Sequence, residues 1–497
     1  MRQRILLVEP AYKNKYPPLG LMKLASFHRD QKDDVSFVKG MDMEVAGQTW
    51  DRIYVSTLFT FYWSQTIDTI KFYMSNSKGN PQVFVGGVMA TLMKDEVEAA
   101  TGAKVIEGLL NAPGLLGLVG DEAVDTAIPD YSIIDPGVNH LLHYNYPVAD
   151  AYIGYATRGC IRHCPFCAVP TIERDYEPYV DLVRQVTGIE KAYGPKRNLL
   201  LMDNNVLASK QFRRIISEIK SLGFGQGASL TREVNGRQSS VLRHVDFNQG
   251  IDSRLLNNEN MRLLSEIAID PLRIAFDHVE LADVYCRKVR LAAKWHIRHL
   301  SNYVLFNYED APVDLYRRLR INVDLNEEFA AHGVKTSIWS FPMRYCPVTG
   351  PDSINRHYVG MHGWTAKRLR GVRCILAATH GVVGPKKDFF LQAFGRDEDE
   401  FLSIIDMPED FIIHRNLHEG NGDKEWLRGL MSAVSQDEQS DLRNMIASNK
   451  PREQLLTTSD PSLRVILEAY AHSESPRRPG VLTGDSSTAT LAEAANE

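Results

Sequence analysis

Short apolar runs alternate with amphipathic stretches along the first hundred residues. Arg4 to Val8 has strand length, and Leu21 to Asp30, after Pro17-Pro18-Leu19-Gly20, has helical spacing. Val35 to Val38 and Ile53 to Ser56 predict two further strands. Phe61 to Met74 predicts a helix, and Val83-Phe84-Val85 a strand running into Gly86-Gly87. A helix over Lys94 to Thr101 and a strand at Lys104 to Ile106 follow. Units in this order predict a parallel, doubly wound (Rossmann-like) sheet. Ligands of such sheets bind beyond the carboxyl ends of the strands, here around Glu9-Pro10, Ser56-Thr57 and Gly86-Gly87. A tight turn accounts for the glycine pair equally well.

Residues 108 to 150 are rich in loop signals, with Pro113, Pro129, Pro136 and Pro147, and read as a connection. Strands are then expected at Ile153 to Thr157, Asn198 to Met202, Val245 to Ile251, Leu272 to Phe276, Tyr303 to Phe306 and Thr336 to Ser340, mostly with helices between. That pattern fits a full or partial parallel barrel. From about residue 350 to 472 the pattern is mainly helical. Ser473 to Glu497 is rich in Ser, Thr, Pro, Gly and Ala and reads as a disordered tail. The expected class is α/β: a sheet domain over 1–145, a partial (β/α)6 barrel over 146–348, a helical region over 349–472 and the tail.

The 497 residues suit about three domains. Hydrophobic residues make up 44% and charged residues 24%, which excludes disorder for most of the length. The charge sum is 57 − 62 = −5, without a long like-charge block, so nucleic-acid attraction is not encoded globally. Ile5 to Val8 is too short for a signal-peptide core. Gly108 to Gly120 is broken by Asn111 and Pro113, too soon for a membrane helix. A cytoplasmic protein without a membrane partner is expected.

Of six cysteines, Cys160, Cys164 and Cys167 fall together, while Cys286, Cys346 and Cys374 are scattered. A secreted disulfide framework does not have this distribution, and clustered thiols suggest metal. Cys-x₃-Cys-x₂-Cys directly after a strand can hold three irons of a 4Fe–4S cube and leave the fourth open to another ligand. Zinc needs a fourth side chain at suitable spacing, and His163, between two of the cysteines, is the only nearby histidine. The isolated cysteines read as small buried hydrophobes.

Cys160-x₃-Cys164-x₂-Cys167, with Phe166 before the third cysteine, resembles the radical S-adenosylmethionine superfamily. The stretches ILLVEPAYKNKYPPLGLMKLASF, VFVGGVMATLM and IPDYSIIDP, ahead of YATRGC, are similar to members with a cobalamin-binding-like domain before the barrel. The resemblance covers about residues 1 to 345. It implies an enzyme with a 4Fe–4S cluster held by the three cysteines, S-adenosylmethionine on the open iron, and an electron donor such as a flavodoxin or ferredoxin. It also implies reductive cofactor cleavage and hydrogen abstraction from a substrate, with cobalamin-dependent methyl transfer as the alternative. One departure concerns cobalamin. The Asp-x-His-x-x-Gly motif is absent from residues 1 to 150, and Asn355-Arg356-His357-Tyr358-Val359-Gly360, which partly mimics it, lies far from the sheet.

Around the cysteines, Phe166, Asp203, Asn205, Asn248 and Arg254 are the candidate cofactor-binding residues. Asp203-Asn204-Asn205 ends a strand, where the resemblance implies contacts to the methionyl amine; these residues also suit a helix cap. Strand alternation from Val245 places Asp246, Asn248, Gly250, Asp252 and Arg254 on one face. Arg254 suits a carboxylate, although Asp252 and Arg254 equally read as an ion pair. Phe276-Asp277-His278, Asn307-Tyr308-Glu309 and Phe341 to Cys346 also end strands. Lys367, Arg368, Arg370 and Arg373 near Trp364 read as a solvated helix face. Phosphate contacts there belong to the rival class, a nonenzymatic iron–sulfur or nucleic-acid-binding protein.

Overall fold

The computed structural model describes residues 2–234, 236–354, 357–448 and 461–471. The expected tail over 473–497 lies outside them. The chain forms two compact units, the first containing residues 1–274, 288–298 and 346–356, and the second the remainder.

The first unit opens with β1 (Arg4–Glu9), β2 (Asp34–Lys39), β3 (Arg52–Thr57), β4 (Gln82–Gly87) and β5 (Lys104–Val105). All pair in parallel in the order β2-β1-β3-β4-β5. Ile5, Leu6, Leu7 and Val8 are wholly buried. Their uninterrupted apolar run is what a central parallel strand covered on both faces requires. The helix Leu19–Asp30 buries Leu21, Met22, Leu24, Ala25, Phe27 and His28. One face of the sheet shares a core with the helix Trp63–Asn76 through Ile67, Ile70 and Tyr73. The sheet order reverses direction between β1 and β3, whose carboxyl ends flank the expected ligand crevice. Gly87 is needed beside it: its φ is +104°, and a Cβ there would stand 2.3 Å from the Thr57 carbonyl oxygen.

Still in the first unit, β6 (Ala151–Gly154), β7 (Asn198–Leu201) and β10 (Val245–Phe247) form a parallel sheet in the order β10-β7-β6. Parallel bridges from Val245 to Ile269 and from Ile251 to Ile274 lead toward β11 (Leu272–Arg273). The register sets Ile153 beside Leu200 and Leu200 beside Asp246, so these three side chains share one face. An antiparallel hairpin, β8 (Ser229–Val234) and β9 (Arg237–Leu242), was not anticipated. Its signal was present in Asn235-Gly236, a favoured hairpin turn pair. The strand expected over Val245 to Ile251 ends at Phe247. The alternation therefore does not carry Asp252 and Arg254 onto the face of Asp246.

In the second unit, β12 (His299–Phe306) and β13 (Ser337–Arg344) pair in parallel. Val304 and Phe306 share a core with the helices Pro312–Ala331, Ala366–Ala378, Lys387–Phe394 and Glu398–Ile405. Of the basic stretch, Arg373 is exposed, but Lys367, Arg368 and Arg370 do not form a solvated face. Lys367 is 1% exposed and donates to the Ile405 carbonyl, Arg368 forks onto Asp406, and Arg370 pairs with Glu409. Arg368 and Arg370 fasten this helix to a later segment, since their carboxylate partners arrive from about forty residues later in sequence. Among the described residues, no helix is long and apolar enough to cross a membrane.

Candidate active site

The three-cysteine loop leaves the end of β6. Its base is closed by paired backbone hydrogen bonds between Arg158 and Glu177, each 3.0 Å. Gly159 must be glycine: φ is +69°, and a Cβ would lie 2.4 Å from the Asp175 carbonyl oxygen. Glu173 collects the base of the loop. It accepts from Arg158 Nε at 2.8 Å, from the Gly159 amide at 2.6 Å and from Asn204 Nδ2 at 2.9 Å. Arg158 also faces Asp125 and stacks 4.0 Å over the Tyr155 ring. Lys23, on the first helix, reaches the same Asp125.

Asp203 is buried just after β7. Its carboxylate accepts from the Ala156 amide and from both the amide and the hydroxyl of Thr157. Burial raises this carboxyl to about 6, against the hydrogen bonds from Thr157 and Ala156 that pull it down. Asp203 thus fastens the last residues before the cysteine loop to the neighbouring strand end. Asn205 is 2% exposed and directs Nδ2 to the Cys160 sulfur at 3.5 Å. Its Oδ1 is buried without a hydrogen-bond partner. A buried amide oxygen left in this state calls for a donor, because desolvation without compensation is costly.

Arg162, inside the loop, donates its amide to the Cys160 sulfur and its Nε to Asp252 at 3.0 Å. Asp252 also receives Arg254 Nε at 2.7 Å. Burial pushes the Asp252 carboxyl up, but hydrogen bonds from Arg254 and Arg162 outweigh it and hold the group below its usual range. The ion-pair reading of Asp252 and Arg254 is therefore the geometry observed. Asn248 lies beyond β10, where its carboxamide oxygen accepts the Tyr16 hydroxyl. Cys160, Cys164 and Cys167 are half-buried, as are Cys286 and Cys346, whereas Cys374 is buried and its thiol pushed up to about 12 by burial and Glu409.

The cysteine loop, Asp203, Asn205, Asn248 and Arg254 all belong to the first unit. Asp277, His278, Asn307, Tyr308 and Glu309 belong to the second. There the buried Arg318 binds the carbonyls of Phe276 and Asp277 and the Asp310 carboxylate. Asn307 binds the Tyr345 and Tyr358 carbonyls and the Gly360 amide. Tyr358 and Gly360 thus have a structural partner, while Asn355 and Arg356 of the same stretch lie outside the described residues. Sequence reasoning missed Glu173, Arg158 and Tyr16. A Glu or Arg in a loop has no periodic signature, and only its partners give it a role.

Among the described residues, no group of three or more His, Cys, Asp or Glu side chains is placed to hold one metal ion. A four-iron cube makes a different demand, since each of its thiolates binds its own iron.

No family model matches the chain, and no curated protein matches it. Solved structures similar to it include the radical S-adenosylmethionine methyltransferase TsrM from Kitasatospora setae, with cobalamin and a [4Fe-4S] cluster bound. Identity is 14% over 69% of this chain and 75% of that one, with a TM-score of 0.46. The form of TsrM with tryptophan and a cofactor analogue gives 14%, 69%, 73% and 0.47. The cobalamin-dependent S-adenosylmethionine radical enzyme OxsB gives 11% identity over 94% of this chain and 75% of that one, with a TM-score of 0.45. Likeness at this level assigns neither an activity nor a ligand to this chain.

Proposed function

We propose that the chain is a radical S-adenosylmethionine enzyme, with its reaction centre at the ends of β6, β7 and β10. One observation carries this reading. Cys160-x₃-Cys164-x₂-Cys167 stands on a loop pinned at its base by Glu173, with the unpartnered oxygen of Asn205 on the residue that touches the Cys160 sulfur. The donor set fits a cube with one open iron, and the orphaned oxygen fits a cationic ligand beside it. Bound together, the 4Fe–4S cluster and S-adenosylmethionine supply reductive cleavage of the sulfonium and a carbon radical that abstracts hydrogen.

The chain's own residues bind and orient. Cys160, Cys164 and Cys167 would hold three irons as thiolates. Asn205 Oδ1 would accept from an N–H of the methionyl amine, and Phe166 precedes the third ligand in the chain. Asp203 works through position, by holding Ala156 and Thr157, and Asn248 is set by Tyr16. Arg254, already paired with Asp252, offers its remaining N–H groups to the methionyl carboxylate. The division into a sheet domain, a partial barrel and a helical region near residues 145 and 348 is part of this reading, as are a cytoplasmic location and a flavodoxin- or ferredoxin-like donor.

A second reading is methyl transfer through cobalamin. The β2-β1-β3-β4-β5 order favours it, since doubly wound sheets bind ligands beyond the carboxyl ends of the strands where the order reverses, here β1 and β3. The test is anaerobic reconstitution, then dithionite and S-adenosylmethionine, with and without cobalamin. 5′-Deoxyadenosine is expected. S-adenosylhomocysteine formed only with cobalamin moves the assignment to methyl transfer. Neither product from cluster-loaded protein overturns both readings.

A further inference from the structure

Two residues of the proposed centre touch. Asn205 directs its Nδ2 to the Cys160 sulfur at 3.5 Å and keeps a buried carboxamide oxygen without a hydrogen-bond partner. They come from different strand ends, Cys160 from the loop after β6 and Asn205 from the turn after β7. What sets their separation lies one residue upstream of each. Gly159, which precedes Cys160, and Asn204, which precedes Asn205, both donate to Oε2 of Glu173, at 2.6 and 2.9 Å. Oε1 of the same carboxylate takes Arg158 Nε at 2.8 Å, and the Glu173 side chain is 7% exposed. Glu173 opens a strap that runs to Val180 along residues 156–159. Arg158 and Glu177 exchange backbone hydrogen bonds, and the Val180 amide donates to the Ala156 carbonyl. From the same strap, the Tyr176 hydroxyl donates to the backbone carbonyl of Asn205 at 3.2 Å. Pinning the cysteine loop needs only the bonds from Arg158 and Gly159. The bonds that Glu173 makes to Asn204, and Tyr176 to Asn205, reach the other strand end, so the strap holds the two ends against each other.

We propose that Glu173 is a positioning residue for the cofactor: by joining Gly159 to Asn204 it fixes the Cys160 sulfur relative to the Asn205 oxygen, and so sets the affinity for S-adenosylmethionine. The inference rests on the radical-enzyme reading above and adds a residue that acts only through Cys160 and Asn205. Three donors from three residues converge on two oxygens, a demand that a carboxylate meets. A carboxamide of the same shape keeps one acceptor oxygen and turns an NH₂ group toward a donor. Glu173→Gln therefore retains the volume and loses at least one of the three bonds, while Arg158 keeps Asp125 at 3.4 Å. Asn204→Ala removes only the arm to the second strand end and leaves the loop pinned through Arg158 and Gly159. The two substitutions separate a pin for the loop from a residue that positions Asn205.

The experiment reconstitutes the full chain anaerobically as wild type, Glu173→Gln, Asn204→Ala and the double variant. It measures iron and sulfide content, S-adenosylmethionine binding by equilibrium dialysis, and the electron paramagnetic resonance of the reduced cluster during titration with S-adenosylmethionine. Each protein is expected to load iron as wild type does, since the three thiols remain. The dissociation constant should rise about tenfold in Glu173→Gln and about fivefold in Asn204→Ala, the scale of one or two lost hydrogen bonds. The spectral change on titration should move to higher S-adenosylmethionine by the same factors. The double variant should bind no more weakly than Glu173→Gln, because both substitutions break one bond. Unchanged affinity in iron-loaded Asn204→Ala overturns the proposal and leaves Glu173 a pin for the loop alone, as does full additivity in the double variant. Asn204→Ala decides by itself should Glu173→Gln load less iron. Cluster-loaded wild-type protein that S-adenosylmethionine neither binds nor perturbs would sink the radical-enzyme reading as well, whereas wild-type binding with unaffected variants sinks only the role of Glu173.

Discussion

Buried polar groups line the carboxyl ends of β1 and β2 and also those of β6, β7 and β10, but the two regions differ in how completely those groups are satisfied. At the first, Glu9 is 3% exposed and accepts from Lys39 at 2.7 Å, from Asn14 at 2.9 Å and from the Tyr146 hydroxyl. Lys39 also reaches the Asn14 oxygen and lies against the Tyr144 and Tyr146 rings. Every charge there has its counterpart. At the second, Asn205 stands beside the Cys160 thiol, and its carboxamide oxygen is buried without a hydrogen-bond partner. Closed networks of buried polar groups hold a fold in one arrangement, whereas open valences at a strand end mark where something else must bind.

The sharpest way to break this contrast is Cys160→Ala. It removes one of three cluster ligands, so iron loading and 5′-deoxyadenosine formation should both fall to background. Cleavage retained at wild-type rate would refute the cluster assignment. Lys39→Met tests the closed region. It strands the Glu9 carboxylate and should cost about 3–5 kcal/mol of unfolding free energy by denaturant titration. The neutral pair Glu9→Gln/Lys39→Met should recover much of that loss, and a single variant as stable as wild type would show the pair to be idle.

Asp203→Asn gives a smaller effect with a definite sign. The folded carboxyl is raised to about 6 from an ordinary 3.8, so the cost of the buried charge is present above about 6 and relieved as pH falls through that window. In cluster-free protein, wild type should therefore gain on the Asn variant by about 2.4 kcal/mol between pH 7 and pH 4, at 1.36 kcal/mol per unit. A difference independent of pH would mean that the carboxyl titrates normally. Asn205→Ala is the mildest change. Losing one hydrogen bond to a charged ligand should weaken S-adenosylmethionine binding by at least tenfold, or about 1.5–3 kcal/mol, as read by equilibrium dialysis. Unchanged affinity would leave the orphaned oxygen without its proposed donor.

Regular elements with one-dimensional signals were legible in the chain. Apolar runs marked β1 to β4 and β7 to within a residue or two, because a strand covered on both faces must be apolar along its length. The strand expected from Val245 is too long because the continuous ladder with β7 stops at Phe247, and beyond it only an isolated bridge from Ile251 to Ile274 remains among the described residues. Lys367, Arg368 and Arg370 do not form the expected solvated face because their partners, the Ile405 carbonyl, Asp406 and Glu409, come from a later segment, whereas Arg373 is exposed as that reading requires.

The sequence by itself determined the α/β alternation, the cysteine spacing and the positions of Asp203 and Asn205 at a strand end, since spacing and hydrophobic period are properties of the linear chain. Only the tertiary structure decided which polar groups are satisfied. Glu173 serves the cysteine loop through Arg158, Gly159 and Asn204. Hydrogen bonds and charges act over a few ångströms of space regardless of separation in sequence, so their balance exists only once the chain has folded.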